Sequence, residues 1–383
     1  MQHSNVLIVG GGPAGSSLAR ALRNSGLTVR ILDKQQFPRD KTCAGWVTPE
    51  VMNSLEIDPD QYARFGVLQP ISGFRIALMN QPPVFTRYGE GGAVVSYGVR
   101  RCEFDHYLLQ RCGAELSTGV SMESVRRQDE HWVVNDVFRA DLLVGAGGHF
   151  CPVARLLGAK LGHEEQVVAA KEVEFEMSAE QRERCPVRPE IPELYFCEDL
   201  KGYGWVFRKG NFLNIGLGRE DNKHLSDHLA RFIETLQRQG RIPTDLPKRF
   251  KGHAYILYGH GSRKMVGDQL LLIGDALGLA YVQSGEGIRP AVESAMLAAE
   301  VIGAAKGDYR EAMLKDYEGK ILQRFGKRDK DRVLQVPIPP AVKQYAAKVL
   351  MRSEWFTRNV IADRWFLHRH QSSLSPVALG ARA

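Results

Sequence analysis

The stretch Asn5-Val6-Leu7-Ile8-Val9-Gly10-Gly11-Gly12-Pro13-Ala14-Gly15 decides the fold. Residues 5–9 are a short apolar run, as expected of a parallel strand buried on both faces. The six residues after it fit GxGxxG. Gly10 permits a tight turn, Gly12 lets backbone N–H groups approach a pyrophosphate, and Gly15 lets the next helix pack closely on the strand. That helix is expected over residues 16–24, with Leu18, Ala19 and Leu22 at helical spacing and Gly26 ending it. Residues 28–32 form a second strand closed by Asp33, a carboxylate able to accept hydrogen bonds from both hydroxyls of a ribose. The helix start turns its positive dipole end toward phosphate. Strand, turn, helix, strand and acid in register predict a Rossmann-like dinucleotide site built from Gly10, Gly12, Pro13, Ala14, Gly15, Asp33 and Lys34.

A second element far down the chain selects the ligand. Residues 269–273 read as a strand followed by Gly274-Asp275-Ala276, and Ser284-Gly285-Glu286-Gly287-Ile288 opens a helix running to about Ala304. Its small residues, among them Ala291, Ala295 and Ala299, allow tight packing. An aspartate after a strand can hold a ribitol chain, and another helix start can stabilise negative charge on a reduced flavin. Two such elements converging on one ligand suit FAD, which is long, whereas NAD needs only the first.

With these two blocks in place, the chain resembles the flavoproteins typified by para-hydroxybenzoate hydroxylase, and within them the geranylgeranyl reductase family. The resemblance covers roughly residues 5–305. Arg39-Asp40-Lys41-Thr42-Cys43-Ala44-Gly45-Trp46 is similar to the subfamily's Lys-x-Cys-Gly-Gly segment beside the isoalloxazine, with Ala44 in place of the first glycine. Arg101 with Phe104 and Asp105 resembles the Arg-x-x-(Phe/Leu)-Asp pattern, in which the arginine reaches the cofactor. Met122 falls where the group makes a backbone contact to adenine. Gly274-Asp275 and Gly285-Glu286-Gly287-Ile288 are close to the subfamily's Gly-Asp-Ala-Ala-Gly and Thr-Gly-Glu-Gly-Ile. One departure stands out: Gly147 occupies the place of the hydroxylases' aspartate and Cys151 that of their serine. The family links that aspartate to both FAD and NADPH, so its absence weakens direct, hydroxylase-type NADPH use.

Residues 160–262 read as a second, mixed sheet, with strands over 167–175 and 193–197 and a hairpin over 202–207 and 212–218. The hairpin resembles the subfamily's Tyr-x-Trp-x-Phe-Pro motif followed by Gly-x-Gly, with Arg208 where the proline would be. Tyr203, Trp205 and Phe207 alternate and therefore share one face. The expectation is that they wall a substrate cavity over the flavin. Cys43 is the expected proton donor to a carbon–carbon double bond that receives hydride from the flavin; Tyr203 or a bound water is the alternative donor. Cys43, Tyr203 and Trp205 are thus the catalytic candidates. His149 and His253 are read as structural.

Composition narrows the remainder. At 383 residues the chain can bury a large core. No run of about 18 apolar residues occurs, so a spanning helix is not expected. The first ten residues lack a basic region and a cleavage site and read as the lead into a strand. Six cysteines without a CxxC pair fit reduced thiols and a cytoplasmic protein. No metal-ligand spacing, nucleophilic triad or nucleic-acid motif appears, so no metal and no nucleic acid are expected. The net charge of +7 is concentrated at the end: residues 301–383 hold 16 Lys and Arg against 8 Asp and Glu. Such a region suits an acidic electron-carrier protein or peripheral contact with anionic lipid. Only one nucleotide fingerprint is present, so electrons are expected from a transient NAD(P)H or a ferredoxin-like protein. Helices are expected over 317–327, 341–352 and 354–368, with a break at Pro337-Ile338-Pro339-Pro340, and residues 371–383 are expected to be loose.

The fold class expected is α/β, with a GxGxxG Rossmann-like FAD-binding domain in three pieces (residues 1–75, 101–160 and 263–305). A mixed β-sheet substrate domain (76–100 and 161–262) interleaves with it, and a helical C-terminal region (306–383) follows. The resemblance implies an FAD-dependent oxidoreductase that reduces carbon–carbon double bonds of an isoprenoid, a hydrophobic lipid substrate. The alternative is a flavin-dependent monooxygenase or halogenase acting on an aromatic compound.

Overall fold

The structure is a computed structural model, described here for residues 1–89, 91–161, 165–221, 224–328 and 339–375. Its first sheet is organised around the strand Gln2–Val9, which pairs in parallel with Val29–Asp33 on one side and Phe138–Gly145 on the other. Glu115–Thr118 and Leu270–Leu272 extend the parallel set outward. His131–Val134 and Val125–Gln128 add an antiparallel flap, and Val266–Gly267 forms an edge. Val6, Leu7 and Ile8 are wholly buried, which accounts for the unbroken apolar run. The helices Pro13–Leu22 and Ile288–Ala304 pack against each other. They approach closely at Gly274, where an added Cβ would stand 3.0 Å from that of Ala14 and 3.3 Å from that of Ala291.

The second sheet has seven strands in the order Lys251–Tyr255, Val168–Glu176, Phe212–Arg219, Gly202–Lys209, Glu193–Phe196, Gly73–Leu78 and Val84–Arg87. It is mixed, because Glu193–Phe196 and Gly73–Leu78 run in parallel. Trp205 and Phe207, with Tyr203 at the margin, face a core shared with Phe74, Ile76, Leu194, Ile361 and Phe366. Val206, Leu213 and Ile215 face the opposite way, onto the helix Leu225–Arg238. The three aromatics share one face as expected, but Phe207 is buried in that face's core and does not line the cavity that Tyr203 and Trp205 reach. A small third sheet joins Trp46–Val47, Ser96–Val99 and Leu68–Ile71.

Three expectations need correction. The boundary placed at residues 75 and 76 falls inside the strand Gly73–Leu78, whose alternating Phe74, Ile76 and Leu78 carry it straight through. The helix expected over 354–368 is a short α-helical turn, Glu354–Phe356, continuing as the wider π-helix Thr357–Phe366. Residues 371–374 are not loose. Arg289 Nη2 donates to the carbonyls of Gln371 (2.7 Å) and Ser372 (3.2 Å), and Ser54 Oγ donates to that of Leu374 (2.9 Å). Buried arginine donors, the Ser54 hydroxyl and the packing of Leu374 against two apolar clusters hold this segment. Pro337 and Ile338 and residues 376–383 lie outside the described residues, whereas Pro340 opens the helix Pro340–Leu350. Proline suits that first position, since the N–H it lacks has no partner within the helix.

Candidate functional site: a cavity lined by both large sheets

The turn after Gln2–Val9 opens one end of a cavity of about 1000 Å³. Gly10, Gly12, Pro13, Ala14, Asp33 and Lys34 line this end. Gly10 has φ of +117°, and a Cβ there would meet the Ala146 carbonyl oxygen at 2.4 Å. Gly15 lies behind the wall, where a Cβ would come 1.9 Å from the Gly10 carbonyl oxygen, so its role is close packing. The helix Pro13–Leu22 starts at Gly12 with no side-chain cap and no acid in its first turn, leaving its N–H groups and dipole for a ligand anion. Arg39 leans over this start, its Nη2 3.3 Å from where a Gly12 Cβ would be. Asp33 is held in place by the N–H groups of Gly11 (2.7 Å) and Gln35 (2.8 Å), and each carboxylate oxygen keeps a further lone pair. Met122 is not on the wall; it packs on the first core.

Asp275, Gly285, Gly287 and Ile288 line the same cavity, so the two distant glycine elements do meet. Gly274 sits just behind them. The helix Ile288–Ala304 also begins without a side-chain cap, at Gly287. Asp275 is flanked by His253, Lys41 and Arg101, and these hold its carboxyl below the usual range although burial pushes it up. Lys41 Nζ is 2.9 Å from His253 Nε2, which is 3.9 Å from Asp275 Oδ2. Burial lowers the Lys41 ammonium to about 8, with Asp275 opposing. His253, read from the sequence as structural, therefore belongs to a charged cluster in the cavity; its partners come from two other segments, and no local pattern shows them. His149 also reaches the wall, buried beside Arg263, and burial pushes it down to about 4. At Gly147 a Cβ would find Cys151 Sγ at 3.3 Å, and no acid stands at that point.

Beyond Asp275 the wall turns apolar. Trp46, Tyr203, Trp205 and Phe366 line it. Trp46 stacks on Phe366 at 5.1 Å between ring centroids, and Tyr203 meets Phe366 edge-on at 5.4 Å. The Tyr203 hydroxyl donates to the Ser284 carbonyl. Burial raises that hydroxyl well above its ordinary value, so it keeps its proton.

Cys43 and Ala44 stand on the cavity wall between these ends, on a loop gripped by buried side chains of the second sheet. The Cys43 N–H donates to Glu172 Oε1 (2.7 Å), and the Cys43 carbonyl accepts from Asn214 Nδ2 (3.3 Å). Lys209 Nζ donates to the carbonyls of Ala44 (2.9 Å) and Val99 (3.0 Å). Asn214 Oδ1 in turn accepts from the Trp205 indole (2.7 Å). Burial pushes the Glu172 carboxyl up to about 7, against the Cys43 N–H and Lys209. Arg101 binds Asp105 through Nε (2.8 Å) and Nη2 (2.9 Å), and the same guanidinium interacts with Cys43. Glu172, Asn214 and Lys209 are absent from the sequence-based candidates. The one available signal is a polar residue at a core-facing strand position, which requires a buried partner.

Two uncapped helix starts, each with an aspartate beside it, aimed into one elongated hollow define a dinucleotide-cofactor protein of the flavoprotein class. The chain belongs to the FAD binding domain family, whose model matches residues 3–327, and FAD is its cofactor. The digeranylgeranylglycerophospholipid reductase of Methanocaldococcus jannaschii is 28% identical to it over 335 residues, 82% of this chain and 81% of that one. Digeranylgeranylglycerophospholipid reductase 2 of Methanosphaera stadtmanae is 26% identical over 353 residues, 86% of each. A solved geranylgeranyl bacteriochlorophyll reductase-like protein from Thermoplasma acidophilum shares the fold with a TM-score of 0.72 at 24% identity, covering 92% of this chain and 88% of that one. The halogenase PltM shares it with a TM-score of 0.66 at 19% identity, covering 85% and 75%.

Proposed function

We propose that this protein reduces carbon–carbon double bonds of an isoprenoid lipid, taking hydride from reduced FAD. One observation carries the reading: Trp46, Tyr203, Trp205 and Phe366 line the same cavity as the glycine turns and aspartates of the cofactor end. The names of the curated relatives point the same way. Gly12 and Arg39 would hold the pyrophosphate, Asp33 the ribose, Asp275 the ribitol, and the start of Ile288–Ala304 the ring system. When bound and reduced, FAD supplies the hydride. The chain supplies the rest: an apolar wall that excludes water, and a proton for the second carbon. Cys43 fits that donor role better than Tyr203, whose proton is engaged by Ser284.

The electron source in this proposal is a transient NAD(P)H or an acidic ferredoxin-like carrier, matched by the basic final region. No described helix is long and apolar enough to cross a membrane. The helix Pro340–Leu350 leaves Val342, Tyr345, Val349 and Leu350 exposed, with Trp355 just beyond and Lys343, Lys348 and Arg352 alongside. That mixture suits peripheral docking on an anionic bilayer, where a lipid substrate resides.

The decisive experiment reduces the flavin anaerobically and then adds polyprenyl lipids or aromatic compounds separately. Reoxidation by the polyprene without oxygen is the expected result. Reoxidation that requires oxygen and yields a hydroxylated or a halogenated aromatic would replace this reading with the oxygenase one.

A further inference from the structure

At the other end of the strand Gln2–Val9 the sheet carries a group of side chains that the cavity does not use. Phe138–Gly145 pairs in parallel with Gln2–Val9 and antiparallel with His131–Val134, so three neighbouring strands lie side by side. Trp132 pairs with Ala140, which sets His131 opposite Asp141. Asp141 Oδ1 is 2.9 Å from His3 Nε2 and 2.9 Å from His131 Nδ1, and all three atoms lie within 4.8 Å of one another. Among the described residues this is the one such group of three. The carboxylate is also oriented from behind: Asn5 Nδ2 donates to Asp141 Oδ2 at 2.8 Å. Asn5 is fixed in turn by Thr28, whose N–H and hydroxyl both donate to Asn5 Oδ1 at 2.9 Å.

We propose that His3, His131 and Asp141 form a binding site for a divalent transition-metal ion, Zn²⁺ being the best match. Two imidazoles and one carboxylate are a ligand set that Zn²⁺ takes with water in the fourth place. Bonds of about 2.0–2.1 Å in a tetrahedron separate ligand atoms by roughly 3.3 Å, close to the spacing the side chains already hold. An amide that orients the unused carboxylate oxygen is the outer support such ligands require. Seven residues at about 3.3 Å each separate His3 from Gly10, so the ion would sit roughly 23 Å from the nucleotide turn. Its effect would be mechanical: it ties the strand that delivers the nucleotide turn to the two strands beside it.

The test is calorimetric titration of ZnCl₂ into the full-length, FAD-loaded, untagged chain after removal of adventitious metal. One ion per chain with micromolar affinity is expected, with a rise in thermal unfolding temperature at saturation. The H3A/H131A variant should lose at least about tenfold in affinity, and Asn5→Leu roughly tenfold. Flavin content and thermal unfolding without metal confirm that each variant is folded; His3→Ala alone, at an exposed position, is the fallback. Failure of the wild-type chain to bind Zn²⁺ saturably overturns the proposal, as does undiminished binding by H3A/H131A. Neither outcome touches the reductase reading, which concerns the other end of the sheet.

Discussion

Cys43 is held through its own peptide groups, by Glu172 and Asn214, and a serine hydroxyl can accept what its sulfur accepts from the Gly45 N–H (3.4 Å) and Arg101, so the side chain can be changed without unseating the loop. Replacing it by serine should therefore cut the rate of anaerobic flavin reoxidation by polyprene at least about tenfold, the scale of a lost general acid. Flavin absorbance per chain and lipid affinity should stay as they were. A Cys43→Ser enzyme that turns over at full rate removes the thiol from the chemistry. Glu172 offers a test by pH. Burial lifts its carboxyl from 4.5 to about 7. Between those values the folded chain keeps a proton that the unfolded chain has lost. Its contribution is thus intact below about 4.5 and lost as pH rises through 7. Over that window wild type should lose on the order of 2–3 kcal/mol relative to Glu172→Gln in urea unfolding. Parallel curves for the two proteins would show that the carboxyl titrates normally.

Elements with a long period were legible from the chain alone. The helix Ile288–Ala304 has the ends the sequence predicts, because a glycine-rich start and seventeen unbroken residues leave little choice. The strand-turn-helix at the start was plain in kind, each glycine having its own steric reason, but the helix begins at Pro13, three residues before the expected start. Gly15 makes the point testable: the backbone oxygen of Gly10, 1.9 Å from any Cβ, has nowhere to go. Gly15→Ala should cost about 3 kcal/mol and yield a colourless protein, read from flavin absorbance against protein concentration. The three strands of the small sheet, two to four residues each, are too short to show a period. The grip on the Cys43 loop was invisible for another reason. Glu172, Lys209 and Asn214 come from three different strands, and only the pairing of Phe212–Arg219 with Val168–Glu176 on one side and Gly202–Lys209 on the other assembles them. The π-helix Thr357–Phe366 keeps helical composition while changing its turn, which no spacing rule detects.

For the molecule as a whole, charge and apolar exposure fall together on the final helices. Binding to anionic vesicles should weaken as salt rises, because the basic side chains are exposed and therefore screened. The Y345D/V349D variant should stay in solution at every salt concentration while keeping its flavin; co-sedimentation of that variant with vesicles would end the docking model. The lack of any partition between the aromatic compartment and the cofactor end has a further outcome. Whatever fills the greasy half also stoppers the route by which dissolved gas could enter. A reduced enzyme kept in air without lipid should squander its electrons as hydrogen peroxide. A saturated hydrocarbon analogue, chemically inert but the right shape, should stanch that loss, and peroxide released per flavin is the quantity to compare.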